Sequence, residues 1–346
     1  MTVRLSRRSS PASIEEDLAG LWRDAAHEGP VARAVMANLV VYFDRGTTER
    51  VDLDAPIEGV PIDEVALRHP ARVIVLHHSG RPDPCGPVAA TISVLLSGPP
   101  GLRVGVEEIA LRSTCAEASL PSIVRRLSLG DIPTCIWWAE DLSRRTPLDA
   151  LITMGRQLVY DSSGWADIRH GVRTLARLLS RTHPPKLSDL NWRRLAPMRQ
   201  ALQEASDALA LREGGADPQS LTVRVRHRPG DEALAWLVAG WLDSCLHWRP
   251  DRDWPVTIEP TVTGAPLDHA NDDDEVLAVR LGADIKASMN GHRVLVNYKS
   301  HVAPFSVAVP RENTADAIAD ELRTLDRDTC LRDTVAALAR RFNAPL

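Results

Sequence analysis

The first half of the chain alternates short apolar runs with segments whose apolar residues recur at helical spacing. Ile14, Leu18 and Leu21 follow the helical spacing, and Ser13 precedes them as a candidate N-cap. The apolar runs predict strands over residues 38–43, 72–76, 91–96, 103–111, 134–138 and 157–160. The segments between them predict helices over residues 61–69, 122–127, 147–154 and 168–179. Strands that alternate with helices in this way indicate an N-terminal α/β domain with a mostly parallel sheet.

Two of these strands are expected to pair antiparallel. Residues 91–96 and 103–111 flank the turn sequence 97–101, which holds two glycines and two prolines. The apolar alternation of the second strand shifts near Glu107 and Glu108. This shift predicts a β-bulge at that position.

The second half of the chain has a different order of elements. The predicted strands cover residues 221–225, 256–258, 276–281, 284–287, 293–298 and 305–309. Asn290 and Gly291 predict a tight hairpin, because a type I′ turn needs positive φ at both central residues. One helix with an apolar stripe from Leu234 to Cys245 and two terminal helices complete this half. The pattern favours a C-terminal α+β domain, and the whole chain is therefore predicted to be mixed α/β.

The domain boundaries follow from composition. Residues 1–12 are rich in Ser and Arg and are expected to form a flexible tail. Residues 13–182 form the predicted N-terminal α/β domain, and residues 221–346 form the predicted C-terminal α+β domain. The region 183–220 is interpreted as a linker and a helix, because two prolines precede a helical pattern and a Gly-rich stretch ends it.

Composition and charge are ordinary for a soluble globular protein. The chain has 346 residues, 44% hydrophobic and 25% charged, with a net charge of -5. A nucleic-acid binder would need a basic surface to neutralise phosphates, so we expect no nucleic-acid partner. No apolar run approaches the length of a membrane span, and no signal peptide is apparent, so we expect a cytoplasmic protein without a membrane partner.

The five cysteines are widely spaced and form no Cys-x-x-Cys pair. This spacing matches neither a disulfide framework nor a zinc site. Cys85 lies in the turn sequence Pro-Asp-Pro-Cys-Gly, where exposure is plausible, and it is the one weak candidate for redox chemistry. Cys135 lies in an apolar strand, where burial is expected to make the thiol inert.

The motifs of common enzymes are missing from the sequence. It contains no phosphate-binding glycine loop and no Gly-x-Ser-x-Gly hydrolase elbow. His77 and His78 are adjacent on a strand and should point to opposite faces, so they cannot easily share one metal ion. We therefore expect no catalytic residues, no metal and no cofactor.

The segment from residue 189 to residue 199 carries a tryptophan, three arginines and two residues suited to capping a helix. A rigid aromatic with several cations suits binding better than bond-breaking. The alternative is an ordinary helix start, with Asp189 or Asn191 as N-cap and Trp192 in the core. Successive helical residues fan by about 100° each, so Trp192, Arg193 and Arg194 cannot all face inward. Trp192 is expected to pack inward, which leaves at least one arginine free for a partner.

The 189–199 segment resembles the hallmark of the OpcA family, the glucose-6-phosphate dehydrogenase assembly proteins. Three further segments, residues 69–75, 129–138 and 158–163, are similar to that family in order and spacing. The resemblance implies a non-catalytic partner that promotes assembly or activity of the dehydrogenase oligomer at the start of the oxidative pentose phosphate pathway. The candidate partner-binding residues are Trp137, Trp138, Asp189, Asn191, Arg193, Arg194 and Arg199.

Two other functions remain open at this point. The N-terminal α/β domain could bind a sugar phosphate as a sensor or an enzyme, because the residues after Tyr160 follow a parallel strand, where α/β proteins often place ligands. A nucleic-acid protein using Arg193, Arg194 and Arg199 is disfavoured by the acidic balance of the chain.

Overall fold

The computed structural model describes residues 2–27, 29–44, 60–78, 88–99, 101–113, 120–144, 149–213, 221–249, 254–261, 275–299 and 303–342. The strands of the first half are β1 (Thr2–Ser9), β2 (Val31–Arg33), β3 (Ala37–Asp44), β4 (Ala71–His78), β5 (Ala89–Ser97), β6 (Arg103–Ser113), β7 (Thr134–Trp138), β8 (Gln157–Tyr160) and β9 (Lys186–Asp189). The helices of this half are α1 (Ile14–His27), α2 (Ile62–Arg68), α3 (Leu120–Leu127), α4 (Asp149–Met154), α5 (Ile168–Leu179), α6 (Leu190–Arg194) and α7 (Ala196–Glu213).

These strands form one large sheet in the order β1-β5-β6-β4-β3-β7-β8-β9, with β2 paired to β6. Neighbouring strands are parallel along the series β6, β4, β3, β7, β8 and β9. The other two pairs in this order, β1 with β5 and β5 with β6, are antiparallel. The sheet is therefore mostly parallel, as the sequence predicted. The carboxyl ends of β8 and β9 lie side by side at one end of it.

Alternating residues of the strands enter two separate cores. Val40, Tyr42 and Trp138 face the core that includes α1, α3, α4, α5 and α7, whereas Leu39 and Trp137 face the core that includes α2. Successive side chains of a strand point to opposite faces, which is why neighbouring apolar residues serve both cores. Each face of the sheet is thus covered by helices, as parallel sheets require.

The described residues of the second half form a six-stranded sheet and three helices. Its elements are β10 (Val223–His227), α8 (Glu232–Leu246), β11 (Val256–Pro260), β12 (Leu277–Leu281), β13 (Ile285–Met289), β14 (Arg293–Tyr298), β15 (Phe305–Ala308), α9 (Thr314–Arg323) and α10 (Thr329–Arg341). The strand order is β11-β10-β12-β13-β14-β15, and all ladders except β10–β11 are antiparallel. Helices α7 and α8 pack on one face of this sheet.

The two terminal helices pack against the first half of the chain. Ile318 and Leu322 of α9 enter the same core as α2 and the large sheet. Helix α10 packs between α5 and α8. The chain therefore returns from its second sheet to complete the helical layers over the first.

Three expectations require correction. Residues Thr2–Ser9 form the edge strand β1 and not a flexible tail, because Val3 and Leu5 pack against the core while Arg4 between them faces out. No bulge interrupts β6 at Glu107 and Glu108, since the β5–β6 register is continuous there. The region expected to be a linker contributes strand β9 to the edge of the large sheet, where all of its residues pair with β8.

Arg72 lies in the apolar segment 69–75 because it forms a buried ion pair there. Arg72 and Glu107 are 3% and 1% exposed, and their side chains form a salt bridge between β4 and β6. Arg72 also donates to the carbonyl oxygen of Leu127 at 2.7 Å, and Trp22 Nε1 donates to Glu107 at 3.1 Å. Burial acts to raise the pKa of Glu107, but Arg72, together with Trp22 and Arg33, outweighs it and holds the pKa below its ordinary value.

We expect Arg72→Ala to lower the free energy of unfolding by about 3–5 kcal/mol at neutral pH, because it leaves the Glu107 carboxylate buried without its main partner. The depressed pKa of Glu107 gives stability that is present at neutral pH and is lost as the pH falls through the folded pKa. Urea unfolding measures the effect. Arg7→Ala is the control, because it removes an exposed pair with Asp24 and should cost less than about 1 kcal/mol. An equal decrease in the free energy of unfolding in Arg72→Ala and Arg7→Ala would contradict this interpretation.

Candidate functional site

Two of the four family-like segments meet at the carboxyl ends of β8 and β9. Tyr160 is paired with Asp189 in the parallel register of these strands. The chain after Tyr160 therefore runs beside the start of α6, and the backbone N–H of Ser162 donates to Asp189 at 3.0 Å. Segments 158–163 and 189–199 thus form one structural unit, although nearly thirty residues separate them along the chain. We call this unit the strand-end site.

Asp189 is the centre of the strand-end site. Its Oδ1 accepts from the backbone N–H of Asn191 at 2.9 Å and caps helix α6, as one reading of the sequence expected. The side chain is buried, and its Oδ2 has no hydrogen-bond partner among the described residues. Burial, followed by the charge of Asp161, raises the pKa of Asp189 to about 7. A carboxyl group with this pKa is roughly half protonated at neutral pH.

Other buried polar atoms surround Asp189. The Tyr160 hydroxyl, Ser162 Oγ and Asn191 Nδ2 also lack a hydrogen-bond partner within the described part of the chain. Burial, followed by the charge of Asp189, raises the pKa of Tyr160 well above its ordinary value. Ser162 lies next to Asp189, but its Oγ has no hydrogen-bond partner in the described residues, so no nucleophile–base hydrogen bond is formed there. Such a cluster suits the binding of water or of a neutral polar group.

Arg193 and Arg194 both form ion pairs within the chain. Arg194 donates to both oxygens of Asp161, at 2.8 and 2.7 Å. Arg193 donates two hydrogen bonds of 2.6 Å to Glu312 and one of 2.9 Å to Asp320. The expectation that at least one of these arginines is free is wrong, because carboxylates distant in sequence fold back onto both of them. Their contact with a partner protein stays a prediction.

Trp192 is 4% exposed and packs inward, which confirms that part of the sequence analysis. Its Nε1 donates to Asp328 at 2.8 Å, at the start of α10. The Arg199 guanidinium lies 3.7 Å from the centroid of the indole ring. Burial lowers the pKa of Arg199, and its Nε has no hydrogen-bond partner in the described residues. Arg199 is therefore stacked inside the chain and does not extend from its surface.

Trp137 and Trp138 are 5% and 1% exposed, on opposite faces of the large sheet. Trp138 stacks on Tyr42 with ring centroids 4.1 Å apart. The sequence analysis named both as candidate partner-binding residues, but helices cover both faces of the sheet and leave neither ring exposed. Asn38 holds the loop before β7 by exchanging two hydrogen bonds of 2.9 Å with the backbone of Leu129, so the segment 129–138 is attached to β3 at its first residue.

Polar residues of β8 and β9 attach helix α9 to the sheet, and the sequence analysis missed them. Lys186 is buried and donates to the carbonyl oxygen of Thr324 at 2.6 Å and to Glu321 at 3.1 Å. Gln157 donates to the carbonyl oxygen of Glu321 at 2.8 Å. These bonds satisfy carbonyl groups at the carboxyl end of α9, which a helix cannot pair internally. A glutamine inside an apolar strand was the signal that could have indicated them.

The remaining chemical candidates carry less weight. Cys85 lies outside the described residues, so the redox hypothesis stays a prediction. Burial raises the pKa of Cys135 to about 11, which makes this thiol inert. No group of three metal-ligating side chains occurs in the described residues. None of the helices in the described part of the chain is both long and apolar enough to cross a membrane.

We expect Asp189→Asn to change how stability depends on pH. Asparagine keeps the oxygen that accepts from Ser162 and Asn191 but cannot ionise. Because the pKa of Asp189 is raised, its protonation stabilises the fold at low pH, and that stability is lost as the pH rises through about 7. The wild type loses stability as the pH rises from about 5 to 7, and the variant does not. The difference in free energy of unfolding should therefore shift in favour of the variant by up to about 1.4 kcal/mol per pH unit.

The measurement is the free energy of unfolding at several pH values. Asp167→Asn is the matched control, because Asp167 also caps a helix, by accepting from the His170 N–H at 2.9 Å, but is exposed. Parallel pH profiles for wild type and Asp189→Asn would show that Asp189 does not titrate in this range.

Two family models match most of the chain. Residues 62–177 match the model described as the glucose-6-phosphate dehydrogenase subunit N-terminal domain. Residues 185–335 match the model described as the C-terminal domain of the same subunit. The two matches follow one another without overlap, and the strand-end site is built from both, since β8 and Tyr160 lie in the first and the 189–199 segment in the second.

Relatives of known name agree with these matches. The chain is 25% identical over 242 residues to a Nostoc punctiforme protein named "Putative OxPP cycle protein OpcA", with coverage of 64% of this chain and 51% of the relative. A protein of the same name from Synechocystis sp. is 27% identical over 212 residues, with coverage of 59% and 43%. The chain thus spans about half the length of these relatives.

Solved structures add no argument about function. An oxidoreductase from Thermotoga maritima aligns over 90% of this chain and 97% of its own, with 10% identity and a TM-score of 0.42. The family assignment rests on the two consecutive domain matches and the named relatives. The chain belongs to the OpcA family.

Proposed function

We propose that this chain is a non-catalytic assembly factor that binds glucose-6-phosphate dehydrogenase in the cytoplasm and promotes its active oligomer. The observation that carries the proposal is the pair of domain matches, both described as domains of a glucose-6-phosphate dehydrogenase subunit. The printed name of the relatives, an OxPP cycle protein, agrees with a role in the oxidative pentose phosphate pathway.

The chemistry of the strand-end site supports a non-catalytic role. Its charged side chains are used in internal contacts, with Arg194 on Asp161 and Arg193 on Glu312. The hydroxyl of Ser162, the serine among its buried polar atoms, makes no hydrogen bond to Asp189 or to any other group of the described residues. A site of this kind fixes the fold of the chain and leaves regulation to the outer surface.

The proposed mechanism is a shift of population. A protein that binds the active oligomer of the dehydrogenase more tightly than its other states raises the fraction of active oligomer by the ratio of the two affinities. The chain then acts as an allosteric activator without touching the substrate. Its effect saturates when the dehydrogenase is fully bound.

A sugar-phosphate sensor or enzyme in the N-terminal domain is the second candidate. A cleft of about 230 Å³ beside the strand-end site favours it, because the cleft lies at the carboxyl ends of parallel strands. However, Glu140, Asp141 and Asp161 line this cleft. Their carboxylates would repel a phosphate group, so we rank this candidate below the assembly factor.

The test combines an activity assay with size-exclusion chromatography and light scattering. The chain alone should leave glucose 6-phosphate and NADP unchanged. Added to its cognate dehydrogenase, it should raise the rate of NADP reduction and form a larger species that contains both proteins. Heat-unfolded chain at the same concentration is the control. Reduction of NADP by the chain alone would contradict the non-catalytic role. If no complex of the two proteins forms, the dehydrogenase is not its partner.

A further inference from the structure

The outer face of the second sheet carries a cluster of basic side chains. Arg224 and Arg226 lie on β10, Arg280 on β12 and Lys286 on β13, and together they line a concavity of about 80 Å³. We call these four residues the basic face. The residues that alternate with them, such as Val225 and Ala287, are buried on the opposite side of the sheet.

Three of these cations lie in one row across the sheet. Arg224 is paired with Arg280, and Arg280 is paired with Lys286, in the antiparallel register of three neighbouring strands. Their side chains rise from positions only about 5 Å apart, and like charges directly opposite one another destabilise a sheet. The row ends at neutral residues on both sides, at Thr257 and Asn297.

The described part of the chain provides few counter-charges for this row. Arg226 forms a salt bridge with Glu275 at 3.2 Å, and Glu259 lies opposite Arg226 on β11. Among the described residues, no carboxylate forms an ion pair with Arg224, Arg280 or Lys286. Such an arrangement is unusual in a chain whose net charge is -5. Local features that oppose stability are most common where a surface has a binding role.

The basic face and the 189–199 segment use their cations in opposite ways. Arg193 and Arg194 already contact carboxylates of the chain itself, so they have little to offer a partner. Arg224 and Arg280 are exposed, and the hydrogen-bonded pairing of β10 with β12 fixes their backbone positions before binding. Cations that are held in place and lack internal partners are well suited to recognise carboxylates on another protein.

We propose that the basic face is the surface that docks an acidic patch of the dehydrogenase; the inference rests on the function proposed above. The occupant is a protein surface that presents several carboxylates at a spacing similar to that of the row. Charge complementarity identifies it, since the row lacks the negative charge that a neighbour would bring. A nucleic acid is the weaker fit, because the whole chain is acidic and would repel it.

The test is a charge-reversal experiment on the full chain. Arg280→Glu combined with Lys286→Glu should weaken binding to the dehydrogenase by about tenfold or more, and binding should also lose much of its salt dependence between roughly 50 and 300 mM NaCl. Arg125→Glu combined with Arg156→Glu is the matched control. It makes the same change in net charge at two exposed arginines beside a different concavity, and it should bind as the wild type does.

A second variant keeps the test valid if charge reversal disturbs folding. Arg280→Gln combined with Lys286→Gln removes the repulsion within the row, so its melting temperature should be equal to or above that of the wild type while binding is weakened.

The possible failures are distinguishable. If wild type binds the dehydrogenase and both pairs of row variants bind equally well, the docking surface is wrong and the proposed function stands. If wild type does not bind at all, the proposed function is wrong. If the row variants lose retention on double-stranded DNA while dehydrogenase binding is unchanged, the occupant is a nucleic acid and the inference is overturned.

Discussion

The ion pairs between Arg193 and the carboxylates around α9 hold the two halves of this protein in one arrangement. Arg193 leaves α6 next to the large sheet and meets Glu312, Asp320 and Glu321, which come after the second sheet. Lys186, inside β9, also binds the carboxyl end of α9, at Glu321 and Thr324. With α9 in place, Ile318 and Leu322 complete a core that α2 alone could not cover. The second sheet is thereby held in a fixed position with its outer face exposed.

This arrangement explains why the 189–199 segment is polar and yet largely buried. Asp189 caps α6 and orders the chain after Tyr160, Trp192 reaches the start of α10, and Arg199 stacks on Trp192. A buried charge or hydrogen-bonding group stabilises a structure only when its partners are correctly placed. The segment therefore specifies one relative position of β8, β9, α9 and α10. Partner recognition is then available to a different surface.

The sequence predicted regular elements well and long-range pairing poorly. Strands β7 and β8 were placed at their observed ends, because apolar runs bounded by proline and glycine are strong local signals. Strand β1 was missed because only Val3 and Leu5 of its eight residues face a core, as is usual at a sheet edge. Strand β9 was missed because the hydrogen-bond partners of its buried lysine, Glu321 and Thr324, lie more than a hundred residues away. For the same reason, no local pattern could show that Arg193 and Arg194 are already paired.

Hydrogen–deuterium exchange of α9 tests most directly whether the 189–199 segment acts as an internal brace. In Arg193→Ala, the amides of α9 should exchange about tenfold faster than in the wild type, because the helix loses its main attachment to α6. Arg194→Ala is the matched comparison, since Arg194 pairs with Asp161 and does not reach α9, and exchange in α9 should stay unchanged. Unchanged exchange of α9 in Arg193→Ala, or equal changes in the two variants, would contradict the account.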